Sequence, residues 1–78
     1  MNPKVMNVEP LNDFKLRIIF VNGDAKIFDV SPYLDKGIFA ELKDRNYFKQ
    51  VKVVAGAIQW PHEQDFSNDT LYIRGQTL

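Results

Sequence analysis

The sequence predicts a small soluble α+β domain: an antiparallel sheet built from two hairpins plus an N-terminal strand, packed with short helices. Three observations predict it. Two β-rich runs are each broken by a tight-turn pair, Asn22-Gly23 and Ala55-Gly56. Helix-start residues recur between and after them, at Ser31-Pro32, Asp44 and Ser67. The chain has 78 residues, with no repeat, low-complexity stretch or linker, so residues 1–78 are expected to form a single domain.

Val5 to Val8 reads as a short first strand, and Glu9-Pro10 at its end suits a sheet edge. Phe14 to Val21 and Asp24 to Val30 form the first hairpin. Asn22-Gly23 fits a two-residue turn in which both residues take positive φ. That turn sets Ile18 opposite Ile27, Phe20 opposite Ala25 and Leu16 opposite Asp29. The face of Phe14, Leu16, Ile18, Phe20, Ala25 and Ile27 is then the core. The other face mixes Ile19, Val21, Phe28 and Val30 with Lys15, Arg17 and Lys26.

Ser31-Pro32 starts a helical turn, with Ser31 as cap and Pro32 at the first helical position, and Gly37 closes it. Ile38 to Leu42 supplies a second apolar turn. Asp44 caps a helix from Arg45 to Gln50, whose Tyr47 and Phe48 share one side with Val51. Helices this short depend on packing against the sheet. In the second hairpin, Ala55-Gly56 sets Val53 opposite Ile58 and Val51 opposite Trp60, which assigns Trp60 to the core. Pro61 ends that strand, His62 to Asp65 is a polar loop, and Ser67 caps a last helix anchored by Leu71 and Tyr72. Gly75 to Leu78 is a loose tail.

Composition narrows the function. Ten basic and ten acidic residues cancel, so no overall charge draws the chain to phosphate backbones or anionic lipid. The absence of cysteine removes disulfides and thiolate metal sites. No apolar run reaches the ~20 residues of a membrane span, and the N-terminus lacks a signal-peptide core, so the expected location is the cytoplasm.

The candidate chemistry is thin. His62, Glu63 and Asp65 are metal-capable but crowd one loop, and the chain has no second histidine, so no metal site is expected. Ser67, His62 and Asp65 or Asp69 can be written as a triad, yet no nucleophile elbow surrounds Ser67 and capping explains it. Gly23, Gly37, Gly56 and Gly75 lack phosphate-loop spacing. Lys43, Arg45, Lys49 and Lys52 could form a basic patch beside Tyr47 and Phe48, although Asp44 interrupts it.

The segments Val8-Glu9-Pro10-Leu11-Asn12-Asp13-Phe14-Lys15-Leu16, Phe20-Val21-Asn22-Gly23 and Phe28-Asp29-Val30-Ser31-Pro32 occur here in order. They are followed by Gly37-Ile38-Phe39, Leu42-Lys43-Asp44, Tyr47-Phe48, Ile58-Gln59-Trp60-Pro61, Asp65 and Thr70-Leu71-Tyr72. Over nearly its whole length the chain thereby resembles a bacterial family catalogued as domain of unknown function 2442. It departs from that family at His62-Glu63-Gln64, where members commonly carry asparagine and glycine before the aspartate. The resemblance implies a small α+β fold, found also as the N-terminal part of some helix-turn-helix proteins, and brings no activity, cofactor or catalytic residue. Relatives are often encoded beside another small protein, which hints at a two-component partnership.

The expected function is therefore a non-enzymatic protein–protein interaction module without cofactor, forming a homo-oligomer or binding a small protein partner. Its surface would be the half-apolar hairpin face carrying Ile19, Val21, Lys26 and Phe28. The alternative is a regulatory or DNA-associated accessory of a toxin–antitoxin-like pair, touching nucleic acid only indirectly. A small enzyme using Asp13, Asp29, His62 or Asp65 ranks last.

Overall fold

A computed structural model describes all of residues 1–78 and shows an α+β fold with antiparallel sheets. Strands β1 (Val5–Pro10), β2 (Lys15–Phe20) and β3 (Ala25–Asp29) form a meander. Short 3-10 turns at Ser31–Tyr33 and Gly37–Lys43 lead to helix α1 (Arg45–Phe48). Strands β4 (Lys52–Val54), β5 (Ala57–Gln59) and β6 (Asp65–Phe66) follow, then helix α2 (Asn68–Arg74) and strand β7 (Gln76–Thr77). The two hairpins lie in separate sheets, ordered β1-β2-β3-β7 and β4-β5-β6. No helix is long and apolar enough to cross a membrane.

The first hairpin is shifted by one residue from the sequence expectation. Leu16 lies opposite Phe28, Arg17 opposite Ile27, and Ile18 opposite Lys26. The loop is Val21-Asn22-Gly23: the Phe20 N–H donates to the Asp24 carbonyl and the Gly23 N–H to the Phe20 carbonyl, both at 2.9 Å. Only Gly23 is left-handed, at φ 91°, which fits a type I turn closed by a glycine bulge. Asn22 needs no positive φ because its side chain serves the turn, its Oδ1 accepting from the Asp24 N–H at 3.0 Å. Because strand side chains alternate, the slip moves Phe28 inward and Ile27 outward. Phe28 is 1% exposed and joins Leu16, Ile18, Phe20 and Val30 in the core.

The second hairpin has the expected register, with Val53 opposite Ile58. Ala55 and Gly56 at its turn both take positive φ, 52° and 80°. The Val5 N–H donates to the Gly56 carbonyl at 2.8 Å, tying the start of β1 to this turn. Phe66 joins the sheets, its ring centroid 4.9 Å from Phe28, 5.0 Å from Tyr33 and 5.1 Å from Phe39. Trp60 is buried, and its Nε1–H donates to the Phe48 carbonyl at 2.8 Å.

Asp44 and Ser67 cap their helices as expected, Asp44 accepting from the Asn46 and Tyr47 N–H groups and Ser67 from the Thr70 N–H. Ser31 does not cap. Asp29 Oδ1 accepts from both its N–H (2.9 Å) and its hydroxyl (2.7 Å), so the preceding aspartate holds the turn. Gly37 is left-handed at φ 52°. The tail is not loose: Gln76 and Thr77 pair with Ile27 and Lys26 as a fourth strand of the first sheet.

Candidate interaction surface

The corrected register divides the first sheet into two faces. Inward rows are Pro10-Leu16-Phe28 and Val8-Ile18-Lys26-Thr77. Outward rows are Glu9-Arg17-Ile27-Gln76, Asn7-Ile19-Ala25 and Lys15-Asp29. No outward-row residue is buried; Ile19, Ala25 and Ile27 are half-buried and the others exposed. Val21, 60% exposed, stands in the turn at one end of this face.

The four predicted surface residues therefore separate. Ile19 is on the outer face and Val21 at its end. Phe28 is core, and Lys26 belongs to the inner side. Lys26 Nζ lies 3.9 Å from the Tyr72 ring centroid and donates to the Tyr72 carbonyl, so α2 covers it. Ile27, assigned to the core from the sequence, takes the outward place expected of Phe28. The signal that could have found it is the preference of a core for the larger aromatic side chain.

At the α2 end of the outer face lies a groove of about 440 Å³. Lys15 and Asp29 flank it from the sheet, Tyr33 and Lys36 from the turn after β3, and Arg74 and Gln76 from the chain joining α2 to β7. Arg74 Nη1 donates to the Tyr33 hydroxyl at 3.0 Å, while Lys36 Nζ sits 5.7 Å from the centroid of the same ring. The only ion pairs are Lys43–Asp35 and His62–Glu41, so Lys15, Lys36 and Arg74 carry no counter-ion. Sequence reasoning missed this cluster because its cations come from distant segments.

The loop after Trp60, read from the sequence as a polar loop, is organised around a buried glutamine. Gln64 is 1% exposed. Its Oε1 accepts from the Tyr47 hydroxyl at 2.6 Å, and its Nε2 donates to the Ile38 carbonyl at 3.0 Å and to Glu41 at 2.9 Å. The Tyr47 oxygen accepts in turn from the His62 N–H at 2.8 Å. His62 Nδ1 lies 2.7 Å from Glu41 Oε2, and these contacts from His62 and Gln64 hold the Glu41 carboxyl below its ordinary value. The Tyr72 hydroxyl, then Asn22, likewise lowers Asp24.

The other candidate constellations do not assemble. No group of three histidine, cysteine, aspartate or glutamate side chains could hold a metal ion. His62 pairs with Glu41, whereas Ser67 bonds Thr70, so the paper triad makes no hydrogen bond. Asp29 lines the groove and Asp13 a smaller hollow, and neither hollow holds two of Asp13, Asp29, His62 and Asp65. In the basic patch, Lys43 is paired with Asp35 at 2.7 Å, which holds Asp35 below its ordinary value, and Arg45 and Lys49 share their hollow with Asp13.

A family model described as protein of unknown function, DUF2442, matches residues 5–76. The chain belongs to the DUF2442 family. No curated protein and no solved structure matches it. Membership brings no assigned activity, so function has to be argued from the surface of this DUF2442 domain.

Proposed function

We propose that this DUF2442 chain is a non-enzymatic, cytoplasmic protein–protein interaction module that docks a partner on the outer face of its first sheet. The observation that carries this is the make-up of that face: half-buried Ile19 and Ile27 lie among Lys15 and Arg17, with the unpaired Lys36 and Arg74 at its end. An apolar centre with a charged rim is the usual anatomy of a docking patch. The rim also selects the partner. Its carboxylates are Glu9 and Asp29, fewer than its cations, in a chain of zero net charge. A two-fold pairing of identical copies would set this cationic surface against itself, whereas a small protein with a carboxylate-rich surface complements it.

The alternative of a DNA-associated accessory in a toxin–antitoxin-like pair has less support, because the patch it would use is interrupted by Asp35 and Asp13. Light scattering on the purified chain and affinity capture from native lysate test the proposal. A monomer is expected that captures one acidic protein in a salt-sensitive way. Ile27→Asp combined with Arg17→Glu should lose that protein while circular dichroism shows an intact fold. Retention of the same protein by the folded variant, or a self-assembly that the variant leaves unchanged, refutes it.

A further inference from the structure

The groove at the end of the outer face has a chemistry that protein docking alone does not require. Three cations from three separate segments, Lys15, Lys36 and Arg74, surround it against a single carboxylate, Asp29. One oxygen of that carboxylate already accepts two bonds from Ser31. Lys43, the one lysine or arginine held in an ion pair, has Asp35 beside it, whereas no carboxylate lies within ion-pair distance of the three cations of the groove. Here two cations meet on one aromatic ring, Arg74 bonded to the Tyr33 hydroxyl and Lys36 near its face, and neither has an anionic partner.

The main chain adds a donor. The Asp24 carbonyl accepts from β2 and the Val30 N–H donates to Phe14, whereas the Ala25 carbonyl accepts from Leu78 on the opposite side. Strand alternation therefore points the Asp29 N–H and carbonyl away from β2, on the side where β7 has stopped at the Ile27–Gln76 pair.

We infer that this groove is a binding site for a phosphate monoester, with Arg74, Lys36 and Lys15 holding the phosphoryl oxygens and Tyr33 and Ile27 lining the space for the group that carries it. Charge selects the ligand: three cations against one carboxylate leave an excess that a dianion balances and a monocarboxylate does not. One Arg74 nitrogen is already oriented by its bond to the Tyr33 hydroxyl, and the remaining N–H groups of its planar fork can donate to two phosphoryl oxygens together. The volume, about 440 Å³, falls within the ~300–1,000 Å³ typical of small-ligand sites.

The test is an amide NMR titration of the whole chain with phenyl phosphate, with benzoate as the monoanionic control. Saturable shifts are expected at Lys15, Asp29, Lys36 and Gln76. Binding should strengthen as pH rises through ~6, where a phosphate monoester loses its second proton. Arg74→Ala and Lys36→Ala, both at exposed positions, should each weaken binding about tenfold with the spectrum otherwise unchanged, the scale of one lost charge-assisted hydrogen bond. Asp29→Asn, which keeps the oxygen that holds Ser31, should tighten it. A phosphotyrosine peptide separates the two sources of the group: tighter binding than phenyl phosphate assigns a phosphorylated side chain, and equal or weaker binding a small phosphorylated compound. Shifts that never saturate, that centre elsewhere, or that benzoate reproduces at equal affinity overturn the inference, as does full binding by the Arg74→Ala, Lys36→Ala double variant.

Discussion

Truncating Phe28 and Ile27 separately discriminates the two possible registers of the first hairpin. Phe28 is 1% exposed and its ring meets Phe66 at 4.9 Å and Tyr33 at 5.8 Å, so Phe28→Ala opens a cavity where the two sheets join. Large-to-small changes of this kind cost about 3–5 kcal/mol. A domain of 78 residues has roughly 4–12 kcal/mol in total, so this change removes between about a quarter and all of it. Ile27, half-buried on the outer face, loses only part of its contact on truncation, for a cost of about 1 kcal/mol. Urea unfolding followed by tryptophan fluorescence reports both, since Trp60 lies in the same core; equal slopes would let the midpoints be compared directly. A two-residue Asn22-Gly23 turn would reverse the order. An Ile27→Ala cost equal to or above that of Phe28→Ala refutes the register, and with it the outer face on which the proposed function rests.

Glu63 sits at φ 74° in an exposed turn with no side-chain bond, so Glu63→Gly should stabilise the protein. Relief of the ~1–2 kcal/mol left-handed cost outweighs the ~0.5–1 kcal/mol entropic penalty of glycine. The melting temperature should rise by several degrees against Glu63→Ala, which keeps the Cβ; identical melts would disprove the strain. Tyr47→Phe removes the hydroxyl bridging Gln64 and the His62 N–H, and should cost about 1–3 kcal/mol in urea titrations; no loss would mean water replaces it fully. Glu41 has its carboxyl lowered from 4.5 in the fold, so its contribution is complete above pH 4.5 and is lost as pH falls through the lower native value. Stability measured on either side of that pH should fall less steeply for Glu41→Gln than for the parent chain; an unchanged slope would remove Glu41 from the acid response.

The local signals that proved legible are those whose chemistry is complete within a few residues. Asp44 and Ser67 cap because a side-chain oxygen reaches its own helix, and Ala55-Gly56 turns the second hairpin because both residues take positive φ. Asn22-Gly23 carried two solutions of nearly equal local merit. The choice fell to tertiary packing, which places Phe28 rather than Ile27 against Phe66. Strand β7 has no apolar alternation, and the open edge of β3 makes Gln76 and Thr77 a strand. Gln64 was invisible for the opposite reason: a glutamine belongs outside unless several distant groups satisfy it, and Tyr47, Ile38 and Glu41 do so together. The groove depends on Lys15, Lys36 and Arg74 meeting through three elements, a fact of topology that no spacing along the chain encodes.

Core and surface in the first hairpin are consequently not independent. Alternation along β3 means that whatever buries Phe28 also presents Ile27 and Asp29 outward, beside Arg17 and Lys15. The three-residue loop ending in left-handed Gly23 thus fixes the stability of the sheet and the make-up of the docking face in one step. A side chain at Gly23 would meet no steric neighbour but would force the unfavourable left-handed φ, and it would weaken both properties together. Lost binding in such a variant would say nothing of the surface, whereas loss in a folded Ile27→Asp, Arg17→Glu variant isolates it, because neither side chain is part of the core.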